Sequence, residues 1–392
     1  MHGPGPRPLL LECLDAALAA VDARACVARG LTRESLQGDW HVVAIGKAAG
    51  AMTRGAIDVL GERVGSAIVV TRPGHCPAVV AGDARVRLIE SAHPVPDERS
   101  LAAGSVVADF VSGASAGARL LFLVSGGASS LVEVLADGVA LEELQAVNSL
   151  ALASGIDIGA TNARRRALSR LKGGGLAQLA GRRRCLALMI SDVPGDDPAV
   201  IGSGLLHSSA RTGPARVPVI PYRIVANVRQ ACRAAASHGL SRGLEVKVAR
   251  RRFRGNAALL GARFARSLVA APRGSLLVWG GESTVRLPAN PGTGGRNQHL
   301  ALAAAMELSA QREAALLAAG TDGVDGVTDD AGGLVDGDTC TRGEDAGLDP
   351  VACLARADSG SFLEASGDLV HTGPTLTNVG DLVLGLATRG RA

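Results

Sequence analysis

The chain has 392 residues, 47% of them hydrophobic and 20% charged, which excludes a disordered chain and leaves room for about two to three domains. The formal net charge is +4, but aromatic residues make up only 2%, too few to supply the stacking surfaces of a single-strand nucleic-acid binder. Mean hydropathy is +0.22, yet no apolar run approaches the ~18 residues of a membrane span, so the expectation is a cytoplasmic protein with no nucleic-acid and no membrane partner.

The first apolar stretch, Leu9–Val21, is broken by Glu12 and Asp15 and predicts an amphipathic helix rather than a signal peptide. His41–Ile45, Ser66–Thr71, Arg85–Glu90, Leu120–Val124 and Cys185–Ile190 predict strands, with helices over Ser100–Val111 and Leu141–Ala153. Strands alternating with helices predict βαβ units and a mostly parallel sheet. Several of these runs are apolar throughout, as strands covered on both faces should be. Gly213, Pro214, Pro218 and Pro221 cluster within Arg211–Pro221 and predict a linker, dividing the chain into domains of residues 1–215 and 216–392. Beyond it, Ile224–Ala226, Leu244–Val248, Ser275–Trp279 and Ala315–Gly320 predict strands of a second α/β series, with helices over Val228–Ser237 and His299–Met306. Seven scattered cysteines without a C-x-x-C pair predict reduced thiols, not a disulfide framework or a zinc site. Only Lys47, Lys172 and Lys247 are lysines, so each departs from an arginine-rich background. The runs Arg164–Arg166, Arg182–Arg184 and Arg250–Arg252 read as solvated faces.

Open α/β sheets bind ligands beyond the carboxyl ends of their strands. Five predicted strand ends here carry glycine with a polar or charged residue. They are Gly46-Lys47, Ser125-Gly126-Gly127, Ser191-Asp192-Val193-Pro194-Gly195, Gly280-Gly281-Glu282 and Thr321-Asp322-Gly323-Val324-Asp325-Gly326. Glycine lets backbone N–H groups approach anionic oxygens, and a following helix start adds partial positive charge. Lys47, and Arg296 in Gly294-Gly295-Arg296-Asn297-Gln298, supply full charges. The acidic loops supply oxygen ligands suited to Mg²⁺. These are the parts of a phosphoryl-transfer site. Walker A, G-x-G-x-x-G, G-x-S-x-G and H-E-x-x-H motifs do not occur.

Taken in order, these loops resemble those of the glycerate 2-kinase family with a C-terminal MOFRL domain. The markers are Ile45-Gly46-Lys47-Ala48-Ala49, Ser91-Ala92-His93-Pro94-Val95-Pro96-Asp97, Ser125-Gly126-Gly127, and Leu168-Ser169 with Lys172-Gly173-Gly174. Ser191-Asp192-Val193-Pro194-Gly195-Asp196-Asp197-Pro198 follows, then Gly281-Glu282-Ser283-Thr284, Gly294-Gly295-Arg296-Asn297-Gln298, Gly320-Thr321-Asp322-Gly323, and Thr372-Gly373-Pro374-Thr375 with Thr377-Asn378-Val379. The resemblance implies a Rossmann-like N-terminal domain, a smaller α/β C-terminal domain and an active site in the cleft between them. It also allows a last helix that packs back on the N-terminal domain. It implies ATP and Mg²⁺, D-glycerate as acceptor and 2-phosphoglycerate as product, in a monomer or a homodimer.

Within that resemblance, Lys47 neutralises the transferring phosphoryl group and Arg296 forks to phosphate or to the glycerate carboxylate. Asp322 is the base for the 2-hydroxyl proton, while Asp192 holds Mg²⁺ or orients the hydroxyl. Gly46, Ser125, Gly126, Gly127, Gly280, Gly281, Gly295, Asn297 and Asn378 are candidate ligand contacts. Glu282 is a contact and a second candidate metal ligand; His93 is read as structural. Departures stand at Arg164, where a hydrophobic residue is expected, and at Ala167, where a histidine is. Leu205-Leu206 replace Pro-Thr, and Val327 replaces proline. The alternatives are a kinase on a related hydroxy acid, an NAD(P)H-dependent hydroxypyruvate reductase and a non-catalytic nucleotide sensor.

Overall fold

The computed structural model describes residues 5–31, 38–154, 158–207, 218–309 and 313–387. The expected linker, up to residue 217, and the boundary expected between 215 and 216 lie outside the described residues. The chain forms two compact units, one built from Asp22–Asn227 with Leu376–Asn378, the other from Val228–Thr375, the residues from Val379 onward and the N-terminal helix.

Six strands make the sheet of the first unit: β1 (Trp40–Ile45), β2 (Val64–Thr71), β3 (Val86–Glu90), β4 (Arg119–Val124), β5 (Arg184–Ser191) and β6 (Tyr222–Asn227). Their order is β3-β2-β1-β4-β5-β6 and every pair is parallel. The apolar runs explain this arrangement. Val42–Ile45 and Leu120–Leu123 are fully buried, so both faces of the strands need a cover of helices. The helix Glu98–Gly113 supplies part of that cover. It starts at Asp97, whose carboxylate accepts from Arg99 N at 2.8 Å in a capping box with Ser100. Its Ala103, Val107 and Val111 pack into the core containing Val43, Ile45 and Phe122. Burying one such large side chain contributes about 1.5–3 kcal/mol. The strand order reverses between β1 and β4, the place where doubly wound sheets open a ligand crevice.

The sheet of the second unit is mixed rather than parallel. It contains β7 (Glu245–Val248), β8 (Phe253–Asn256), β9 (Ser275–Thr284), β10 (Ala314–Gly320), β11 (Gly332–Asp336), β12 (Leu369–Val370) and β13 (Asp381–Ala387). The order is β12-β11-β10-β13-β9-β7, with β8 also beside β9. β7 and β8 run parallel to β9, and the remaining pairs are antiparallel. Helices Ala257–Val269 and Arg296–Leu308 share its core with Leu316 and Val383.

Three expectations change. The strand expected over Ile224–Ala226 belongs to the first sheet, because β6 pairs with β5. The N-terminal helix, Pro6–Ala20, packs in the second unit. Glu12 meets His238 at 3.1 Å and Arg242 at 2.6 Å, and Arg7 reaches Asp336 and Asp368 at 2.8 Å each. The last described helix, Ser359–Ala365, lies in the second unit, and the described chain ends in β13, held between β9 and β10. Among the described residues no helix is long and apolar enough to cross a membrane, and no two of the seven cysteines are joined.

Candidate active site

The ends of β1 and β4 lie side by side, and their loops are tied together by backbone. Ser125 N donates to Ile45 O at 3.0 Å, Lys47 N to Gly126 O at 2.9 Å, and Ala48 N to Ser125 Oγ at 3.0 Å. Gly46 sits at φ 133°, and a Cβ there would collide with the Ser125 side chain. Glycine is thus required both by conformation and by close approach. The half-buried Lys47 follows directly, with the helix Ala49–Leu60 beyond it.

Gly127, at φ 85°, opens the next loop. A Cβ on it would stand 3.0 Å from His93 Cδ2 and 3.3 Å from Lys47 Cγ, which brings His93 and Lys47 to the same loop. A Cβ on Gly126 would collide with Asp192 Oδ2 and with Asn378 Nδ2. Asp192 directly follows β5, and Asn378 Nδ2 donates to its Oδ2 at 3.3 Å. Gly46, Lys47, Ser125, Gly126, Gly127, Asp192 and Asn378 therefore gather at the carboxyl ends of β1, β4 and β5. His93 joins them, although sequence reasoning set it aside as structural; its signal was the Ser91–Asp97 motif. One ammonium, one carboxylate and a glycine loop suit an anion that carries its own cation.

A second cluster surrounds the start of the helix Arg296–Leu308 in the other unit. Its N-cap is Gly295, which has no side chain to offer. Asp325, from the turn after β10, takes over that task. Its Oδ1 accepts from Asn297 N at 3.1 Å and its Oδ2 from Gln298 N at 2.7 Å. Gly295 allows the approach, since a Cβ there would collide with Asp325. Asp325 is 2% exposed. Burial pushes its carboxyl up to about 7, against the two backbone N–H groups; the Asp381 charge adds to the rise and Arg296 opposes it.

Arg296 is committed to two carboxylates of its own unit. Its Nε and Nη2 donate to Asp381 at 2.7 and 2.9 Å, and Nη1 lies 2.9 Å from Glu282 Oε1. Burial opposes the guanidinium charge, but Asp381 and Glu282 override it and hold the pKa well above its ordinary value. Asn297 Nδ2 bridges Asp325 Oδ1 and Asp381 Oδ1, each at 3.2 Å. Asp322, 9% exposed, follows β10 beside Gly320. A Cβ on Gly320 would stand 3.1 Å from Asp322 Oδ1 and 3.5 Å from Asn297 Nδ2, so Asp322 borders this cluster.

Gly280 and Gly281 lie inside β9, not in a loop after it, and pair with Leu382 and Asp381. Their missing side chains make room for Val228 and Cys232 in one case and for the Phe253 backbone in the other. Leu205 and Leu206, at one of the sequence departures, are core residues of the first unit. Ser203 beside them donates to Asn162 Oδ1 at 3.0 Å and lies 2.6 Å from Ser129 Oγ. Asp325 and Asp381 are the residues sequence reasoning missed. Asp325 lies three residues beyond Asp322 in the loop after β10, whereas Asp381 belongs to no motif. Among the described residues no group of three or more His, Cys, Asp or Glu is arranged to hold a metal ion.

The family model DUF4147, a domain of unknown function, matches residues 9–235, and the MOFRL family model matches residues 275–381. A D-glycerate 2-kinase from Thermotoga maritima is 35% identical, covering 88% of this chain and 90% of its own. A protein of Agrobacterium vitis, named provisionally as a hydroxypyruvate reductase, is 39% identical over 96% of this chain and 93% of its own. The crystal structure of a glycerate kinase from Thermotoga maritima matches with a TM-score of 0.86 at 33% identity, covering 97% of this chain and 99% of that one.

Proposed function

Because the chain belongs to the glycerate 2-kinase family, we propose that it transfers the γ-phosphoryl group of ATP to the 2-hydroxyl of D-glycerate, giving 2-phosphoglycerate. The observation that carries this reading is the gathering of Lys47, the Ser125–Gly127 loop and Asp192 at the strand-order reversal of a parallel sheet. Phosphoryl transfer needs little covalent chemistry from a protein; it needs positioning and charge. In this reading Lys47 neutralises charge on the transferring group, and the glycine loop lets backbone approach its oxygens. Asp322 accepts the proton of the acceptor hydroxyl. Arg296, held by Asp381 and Glu282, orients the phosphoryl group or the acceptor carboxylate.

Nucleotide-bound Mg²⁺ requires only one or two protein carboxylates, with phosphate oxygens and water filling its other positions. Asp192, beside the glycine loop, fits that requirement. Glu282 fits it less well, since its carboxylate is paired with Arg296. The ion would supply charge neutralisation on the phosphate oxygens.

The name given to the Agrobacterium vitis relative supports a second reading, reduction of hydroxypyruvate by a nicotinamide cofactor. ADP release across D-glycerate, L-glycerate and related hydroxy acids, beside a cuvette of hydroxypyruvate with NADH or NADPH, separates the two. The kinase reading expects ADP release with D-glycerate above the other acceptors and constant absorbance in the cuvette. NADH or NADPH consumption without ADP release would replace it with the reductase reading.

A further inference from the structure

We infer that Asp381 is a positioning residue, which holds the Arg296 guanidinium in the orientation it uses on the bound anion; this rests on the kinase reading above. Two parallel bonds, at 2.7 and 2.9 Å, join the fork to the carboxylate. Such a pair fixes both the plane of the guanidinium and its rotation, which one contact would not. Asp381 is itself held firmly. It sits at the start of β13, opposite Gly281 of β9 and Gly320 of β10, and it is fully buried. Asn297 Nδ2 donates to its Oδ1, and Asp325 fixes Asn297 through that same amide and through its backbone N–H.

The exposures argue for a working pair. Asp381 has a side chain 0% exposed, whereas that of Arg296 keeps 38%. A buried ion pair is poor support for stability, because apolar residues of similar volume often serve a core as well or better. Here a fully buried anion is used to aim a cation that is still partly open. That suits a guanidinium which must meet a ligand in one orientation. Sequence reasoning found the cation and missed the residue that aims it.

The test is a double-mutant cycle on turnover with D-glycerate and ATP, using Asp381→Asn, Arg296→Lys and the pair. Arg296→Lys alone is expected to lower turnover ~100-fold. Asp381→Asn alone is expected to lower it ~30-fold, and adding Arg296→Lys to it should cost a further ~3-fold or less, because residues acting as a unit are not additive. Asp381→Glu keeps the charge but displaces it by one methylene; it carries the same cycle if Asp381→Asn fails to fold. Losses that multiply in full would overturn the inference and leave the kinase reading standing. A wild-type protein that forms no phosphoester would overturn both.

Discussion

The two clusters are built in opposite ways. The first, around Lys47, is made by backbone: loops at neighbouring strand ends bond to each other, and glycines let Ser125, His93, Asp192 and Asn378 approach. The second, around Arg296, is made by side chains: two buried aspartates, from the turn after β10 and the start of β13, clamp a helix start and the arginine on it. Unusual backbone conformations of the first kind, as at Gly46 and Gly127, leave glycine motifs in a sequence. Long-range charge pairing of the second kind leaves none. It also ties stability to charge in the second cluster, and substitutions in the two should therefore fail differently.

The largest effect is expected from Arg296→Ala, which should lower turnover by ~10²–10³. It should also destabilise the fold by about 3 kcal/mol, because it leaves the buried Asp381 carboxylate without its partner. Chemical denaturation with an activity assay checks both. Lys47→Ala should lower turnover by a similar ~10²–10³, while it destabilises the fold by less than Arg296→Ala does, since no fully buried carboxylate loses its charged partner there. A large stability loss there would erase the contrast between the clusters.

A pH series sharpens the comparison further. The folded-state pKa of Asp325 is raised to about 7, well above that of an unfolded aspartate. Between about pH 4 and pH 7 the native chain holds a proton there that the unfolded chain has released, so stability is lost as pH rises. Wild type measured against Asp325→Asn should lose stability across that window, at up to about 1.4 kcal/mol per pH unit, and then level off. A flat difference would contradict the buried, burial-shifted carboxylate. The smallest effect is expected from Asp97→Ala, which removes the cap of the helix Glu98–Gly113 in the first unit. About 1 kcal/mol of stability should go, with turnover unchanged.

The sequence made the first sheet readable because most of its strands carry apolar runs buried on both faces, as in β1, β2, β4 and β5, although the edge strand β3 is only partly buried. Five of its six strands stand close to where those runs predict them. The sixth, β6, was readable as a strand but not as a partner of β5, since pairing is a tertiary property. The second sheet was less legible. β11 is short and glycine-led, Gly332-Gly333-Leu334-Val335-Asp336, and β12 has only two residues. β13, Asp381–Ala387, is apolar but interrupted by Gly385, and its central place depends on neighbours far away in sequence. The amphipathic pattern of Leu9–Val21 announced the helix Pro6–Ala20 but not the unit it packs in. Glycine with lysine or aspartate at strand ends singled out Lys47, Asp192 and Asp322 as candidates. Asp381 gave no such signal, because its ion pair with Arg296, 85 residues away, imposes no special backbone conformation that a glycine motif would mark.

The most direct test of the proposed transfer is phosphorus NMR of the product formed by purified protein, D-glycerate, ATP and Mg²⁺. The expected result is a single new phosphoester, 2-phosphoglycerate, which forms ~10²–10³-fold more slowly when Lys47→Ala replaces wild type. A product that is 3-phosphoglycerate would contradict the assigned hydroxyl, and no phosphoester at all would contradict phosphoryl transfer to glycerate.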